Sequence, residues 1–199
     1  MIFGGNEINS ITFSISKKMK VSVTHNKRLR EVVEDDMITF TKEDADGLLL
    51  PHNDALVISL NILDFKIKRV LVDPGISANI IQWRVLEKSK LTESIIPAIK
   101  LFARLNLASV TTRGEILLPT NAEWVMKTTL FEVVDGDMGY NIILGRPWLH
   151  MMKVVPSTYP QLLKFSTQEG IKKISGDQPT AREMNAISIF SSKGKESNR

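Results

Sequence analysis

Cysteine is absent from the 199 residues. That excludes disulfides, thiol nucleophiles and cysteine-based zinc sites such as zinc knuckles. Histidine is scarce, and His25, His52 and His150 lie far apart with no HxxxH or HExxH spacing. Each reads as an ordinary surface or loop residue, so no metal is expected, and no cofactor. Long apolar runs are also missing. The longest are strand-length, so no membrane span and no membrane partner is expected. The first residues lack a basic stretch followed by an apolar one, so secretion is not expected, and a cytoplasmic or nuclear location is the default. Neither charge sign dominates: 26 Lys plus Arg face 22 Asp plus Glu, for a net charge of +4. The basic residues are scattered without interleaved aromatics, so nucleic acid is not an expected partner. Aromatics make up only 7%. Trp83, Trp124 and Trp148 sit in apolar contexts and are expected in the core.

With 43% hydrophobic and 24% charged residues, the chain suits one globular domain with loose ends. Residues 1–45 read as a weakly ordered arm of loop chemistry and exposed charge. Within it, Met37 to Thr41 alternates and is expected to form an edge strand. Residues 46–176 form the expected domain, and 177–199 a disordered tail in which Ser191 to Arg199 has nothing to bury.

Inside the domain, Leu56, Ile58, Leu60 and Ile62 share one face at period two. A tight turn is expected near Leu63-Asp64, after which Phe65 to Lys68 alternates again. The strand becomes continuously apolar at Val70-Leu71-Val72 and enters Asp73-Pro74-Gly75. Further strands are expected over 99–107, 115–118, 124–134, 140–144, 153–156, 162–165 and 170–174. Asp135-Gly136-Asp137 reads as a hairpin turn. Helical pattern is short: 79–86, with Asn79 able to cap, and 147–152, with Pro147 in the first turn. Many short strands and few helices argue an all-β fold built as a small closed barrel.

An apolar strand ending in Asp-x-Gly delivers a carboxylate to a turn. Aspartic proteases need two carboxylates sharing one proton, one as base toward water and the other polarising the scissile carbonyl. Such a pair titrates as a unit. Gly75 lets the turn bring backbone N–H groups near the carboxylate. With one such turn per chain, a second Asp73 has to come from a symmetric partner.

The surrounding residues make the turn more specific. Pro51 to Leu60, Lys68 to Asp73 and Asn141-Ile142-Ile143-Leu144-Gly145-Arg146-Pro147-Trp148-Leu149 resemble the retropepsin-like region of plant gypsy-type Gag-Pol polyproteins. Val155 to Tyr159, Leu163 to Phe165, Gly176 to Gln178 and Ile2 to Gly5 continue the resemblance over nearly the whole chain. It implies an acid-protease fold, a homodimer with the site on its twofold axis, a polypeptide substrate, and Asp73 as catalytic carboxylate with Gly75 shaping its turn. It also implies that Ile142 to Arg146 buttress the active loop, with Arg146 in a structural, paired role. No reverse-transcriptase or integrase signature is present, so the resemblance implies a piece of a longer polyprotein or a short copy.

The chain departs from that pattern in several places. The family turn reads Asp-Thr/Ser-Gly-Ser/Ala, and its hydroxyl bonds across the dimer axis. Pro74 has neither hydroxyl nor N–H. Ile76 replaces a small residue and either crowds a peptide or packs inward. The flap tip aligns with Arg104-Leu105-Asn106-Leu107 and lacks its glycines. Ser77, Ala78 and Asn79 offer no acid to pair with Arg146. Three readings follow. The first is an aspartic endopeptidase with impaired catalysis. The second is a non-catalytic retropepsin-fold remnant acting at most as a dimerisation or interaction module. The third is an unrelated β-barrel binding module in which Asp73 is a turn residue.

Overall fold

The computed structural model describes residues 37–98, 101–105, 108–136 and 138–185, with backbone alone for 101–111. The chain divides into Met1–Asp35 and Asp36–Arg199, and every described residue belongs to the second unit.

Strand β1 (Val57–Ile62) turns at Leu63-Asp64 into β2 (Phe65–Val72), its antiparallel neighbour. Leu63 takes a left-handed φ of 53° to make that turn. After β3 (Ile80–Gln82) and helix α1 (Trp83–Lys88) come β4 (Leu101–Leu105), β5 (Ala108–Ala122) and β6 (Val125–Val134). Then follow β7 (Ile142–Leu144), helix α2 (Arg146–Met152), β8 (Val155–Ser157), β9 (Leu162–Thr167), β10 (Gly170–Ser175) and helix α3, residues 178–185. The hydrogen-bonded order β1-β2-β7-β3-β6-β5 closes on itself because β5 also pairs with β1 through Asn61–Asn121 and Ile62–Thr120. The result is a six-stranded closed barrel, with β4 extending from β5 and a separate sheet of order β10-β9-β8.

The period-two face falls where expected. Leu56, Ile58, Leu60 and Ile62 all enter the core, joined by Val70, Val72, Phe131, Ile142, Leu144 and the fully buried Trp148. Closing the barrel removes all edges but those of the extension and the small sheet, and satisfies the ladder groups that an open sheet would leave to water.

The packed structure reaches past both expected limits, 46 and 176. Met37 to Thr41 is not a strand; it is irregular chain followed by a single 3-10 turn at Glu43–Ala45. It is attached by the buried ammonium of Lys164 on β9, which donates to Thr39 O (2.7 Å) and Asp44 Oδ2 (2.5 Å) and lies over the Phe40 ring. A buried lysine is tolerated only when so paired. Lys164, with the Thr41 N–H and Lys173, holds the Asp44 carboxyl far below the usual carboxylate range. The rest of the arm, 1–36, lies outside the described residues.

At the other end, the expected tail begins with α3. Asp177 caps it, accepting the Thr180 N–H (3.0 Å), and Ala181 and Met184 are buried. Residues 186–199 lie outside the described residues. The helix is fastened by one side chain in particular. The Gln178 amide accepts from Leu49 N–H (2.9 Å) and donates to Leu49 O (3.1 Å), pairing both backbone groups as a neighbouring strand would. Arg182 Nε and Gln178 Nε2 both donate to Asp54 Oδ2 at 2.9 Å. Burial acts to raise the Asp54 pKa, but these donors and the Arg182 charge outweigh it, so the carboxyl lies below its ordinary value.

Two further expectations are corrected. Trp124 is 88% exposed rather than in the core. It sits with Glu123 at the β5–β6 turn, both at left-handed φ (71° and 48°), where a two-residue hairpin tip projects its side chain outward. Trp83 is half-buried against the core. Asp135-Gly136 is not a hairpin turn, because β6 and β7 are not neighbours; it belongs to the connection between them, and residue 137 lies outside the described residues.

Candidate active-site turn

Strands β2 and β7 run parallel, pairing Val70 with Ile142, Leu71 with Ile143 and Val72 with Leu144. Val72 points into the barrel, and the ladder then ends as Asp73 N–H donates to Leu144 O (3.0 Å). Asp73 begins a tight turn closed by Ile76 N–H to Asp73 O (3.2 Å). Its carboxylate, partly exposed, accepts the Gly75 N–H at 2.8 Å, while Pro74 and Gly75 face solvent. Gly75 is not at a left-handed φ. Its value is close approach: a Cβ there would sit 3.0 Å from Asp73 Oδ1. The turn thus presents one carboxylate and one backbone donor at the mouth of a buried strand.

Gly145, at the junction of β7 and α2, carries the loop that follows. A Cβ on Gly145 would collide with Ala78 O and lie 2.7 Å from Ile76 O, so only glycine lets the two segments touch. Arg146 N–H donates to Ile76 O (2.9 Å) from the same junction. The buttress is therefore backbone. The Arg146 side chain is exposed instead of buried and paired, and no ion pair to it is found among the described residues. The loop supplies no acid to Arg146, and a solvated guanidinium needs none.

Sequence reasoning missed the residue that does most to fix this loop. Asn79 was expected to cap a helix beginning beside it; the backbone instead enters β3, and the first helix starts at Trp83. Asn79 is 4% exposed. Its Oδ1 accepts from Gly145 N–H (3.1 Å) and Trp148 N–H (3.3 Å), its Nδ2 donates to Leu130 O (3.0 Å), and its backbone O accepts from Glu132 N–H (2.8 Å). It caps α2, a helix remote in sequence, and ties the Asp73 loop to β6 and β7. The bare N–H groups of a helix start need such acceptors. The only signal available was a short polar residue flanked by apolar ones.

Ile76 packs inward. It joins Leu71, Met138 and Tyr140, all partly buried, against a second apolar cluster of Ile80, Val134 and Ile143 on the barrel's outer face. Burial pushes the Tyr140 phenol above its ordinary value. A separate groove of about 330 Å³ lies beyond the loop, lined in part by Ser77, Ala78, Leu117, Leu130 and Met151. Strands β4 and β5 form a hairpin at the expected flap; Arg104 and Leu105 end β4, and Asn106 and Leu107 lie outside the described residues. His52, expected on the surface or in a loop, has a buried side chain, 2% exposed. Its Nδ1 accepts from Asp54 N–H (3.2 Å), so Nε2 carries the proton donated to Tyr159 O (2.9 Å). His150 is exposed on α2, and His25 lies outside the described residues. Among the described residues no group of three His, Asp or Glu side chains could hold a metal ion, and no helix is long and apolar enough to cross a membrane.

No protein-family model and no curated protein matches the chain. Solved structures do. The retroviral protease-like domain of Ddi1 from Leishmania major matches with a TM-score of 0.51 and 16% identity, over 63% of this chain and 96% of that one. The fold is retropepsin-like. The retropepsin-like aspartic protease from Rickettsia conorii has a TM-score of 0.41 at 16% identity, covering 59% of this chain and 80% of that one. EIAV protease, solved with the inhibitor HBY-793, gives 0.41 at 15% identity, covering 55% and 99%. At such identities the likeness is one of fold, and function has to be argued from the site.

Proposed function

We propose that this retropepsin-like domain is an aspartic endopeptidase module of a plant gypsy-type retrotransposon polyprotein, acting as a homodimer on polypeptide and catalytically impaired. The observation that carries the reading is the Asp73 turn: a buried strand delivers a partly exposed carboxylate, bonded to the Gly75 N–H, onto a loop locked by Asn79 and Gly145. One carboxylate of this kind per chain makes half a dyad. Two turns meeting on a twofold axis would share one proton, so that one Asp73 activates water while its twin protonates the carbonyl oxygen. The polyprotein origin rests on the resemblance of residues 51–60, 68–73 and 141–149.

The impairment follows from Pro74. At the exposed apex it offers no hydroxyl and no N–H to a partner turn, so each chain forgoes a bond worth about 0.5–1.5 kcal/mol. Ile76, packed into the outer cluster, does not add to the damage. A non-catalytic remnant is the second reading, favoured by the same Pro74.

The test is cleavage of an unfolded polypeptide at mildly acidic pH by the full chain, with pepstatin as control. Weak wild-type activity, a gain in Pro74→Thr and none in Asp73→Asn are expected. If wild type and Pro74→Thr both match Asp73→Asn, the endopeptidase reading fails and the remnant stands.

A further inference from the structure

At the tip of the β5–β6 hairpin, Glu123 and Trp124 both stand at left-handed φ, where asparagine and glycine are at ease and a bulky residue is not. The turn is nevertheless fixed, since Asn121 Oδ1 accepts the Trp124 N–H (3.0 Å). It holds the indole out into solvent, with the exposed Met126 beside it. Among the described residues no aromatic ring or cation meets Trp124. A strained, well-fastened turn that presents a large rigid aromatic has the form of an interface anchor.

The groove of about 330 Å³ has apolar walls in Ala78, Leu117, Leu130, Pro147 and Met151, with room for one large side chain. The hairpin cannot reach it in its own chain. Leu117 and Leu130 face each other on the same two strands, and the ladder runs unbroken from there to Ala122 and Val125. Six residues of strand put the tip roughly 20 Å beyond the groove. Charge agrees with a visitor of the same kind as the tip. Arg146, His150 and Lys153 are exposed on α2 beside Pro147 and Met151, and none of them forms an ion pair among the described residues. Glu132 lines the groove from the β6 side, so an incoming carboxylate is directed toward α2 instead.

We propose that the β5–β6 tip of one chain docks into this groove of a second copy, with Trp124 between Leu117, Leu130 and Met151 and Glu123 against the basic face of α2. Knob and hole are both carried by the same chain, in places that cannot meet in cis. The contact joins unlike surfaces, so it repeats from copy to copy unless two chains close it reciprocally. Asp73, Pro74 and Gly75 take no part, and the proposal does not depend on the function proposed above.

The experiment mixes two single-cysteine forms of the full chain, Glu123→Cys and His150→Cys, under mild oxidation. A disulfide between positions 123 and 150 should form several-fold faster than either protein alone gives a covalent dimer, because the contact brings unlike positions together. Adding Trp124→Ser to the Glu123→Cys protein should slow the mixed link to the rate of the like pairs. Adding Pro74→Arg to both proteins, which sets two guanidinium groups against each other wherever Asp73 turns would pair, should leave it unchanged. A mixed link no faster than the like ones, or one indifferent to Trp124→Ser, would overturn the proposal. So would its loss with Pro74→Arg, which assigns the proximity to the pairing of the turns.

Discussion

Replacing Asn79 with alanine removes three side-chain hydrogen bonds from a residue that is 4% exposed: the two accepted by Oδ1 and the one donated to Leu130 O. Each made bond contributes about 0.5–1.5 kcal/mol, and a buried partner left unpaired costs about 1–3 kcal/mol. The Trp148 contact is long at 3.3 Å and counts for less. A net loss of about 3 kcal/mol follows, which for a domain of this size lowers Tm by roughly 6–12 °C. Asn79→Asp is the informative companion. It keeps an acceptor for Gly145 N–H and Trp148 N–H but sets an oxygen against Leu130 O, so it should fall between wild type and alanine. Urea unfolding followed by tryptophan fluorescence reads both, because Trp148 is fully buried while Trp124 adds a solvent-exposed background. A loss below about 1 kcal/mol in Asn79→Ala would mean the loop is held by other contacts, and the account of the turn given above would be wrong.

Gly145→Ala should cost more than the usual 1–3 kcal/mol of overpacking, since the added methyl meets the Ala78 and Ile76 carbonyls rather than movable side chains; a soluble, native-like Gly145→Ala by circular dichroism would contradict this. Asp44 and Asp54 both have depressed folded-state pKa values, so the stability they contribute is present above the ordinary carboxylate value of 3.8 and is lost as pH falls through their lower folded values. Hydrogen exchange between pH 5 and pH 2 should therefore show 37–45 and α3 loosening below about pH 4, ahead of the barrel. Trp124→Ser should change stability by no more than about 0.5 kcal/mol, as for other exposed positions, measured by the same urea titration.

The barrel was largely legible because its cause is local. Alternation at Leu56, Ile58, Leu60 and Ile62, and the apolar run into Asp73, state strand identity and facing directly. Asn79 was misread because its partners Leu130, Gly145 and Trp148 lie more than fifty positions away, and nothing beside it announces them. Lys164 and Asp44 pair across 120 positions for the same reason. Helix α3 is a different case. Its start was readable, since Asp177 followed by Pro179 is an N-cap with proline in the first turn. Its apolar face, however, is only Ala181 and Met184, too little to reveal burial without knowing that Asp54 and Leu49 wait to receive Arg182 and Gln178. The Asp73 turn and a buttress over Ile142 to Arg146 were expected from the sequence, while the close backbone approach that requires glycine at 145 and the exposure of the Arg146 side chain were not.

A chain with no cysteine allows one clean test of whether two Asp73 turns face each other. A disulfide forms only between Cα atoms about 4.4–6.8 Å apart, so a single cysteine at Pro74 reports on that meeting directly. Under mild oxidation, Pro74→Cys should give a covalent dimer much faster than a control cysteine at the exposed Lys127 on β6. Cross-linking at Pro74 no faster than at Lys127 would mean that the turns do not meet, and the paired-carboxylate account would fall with them.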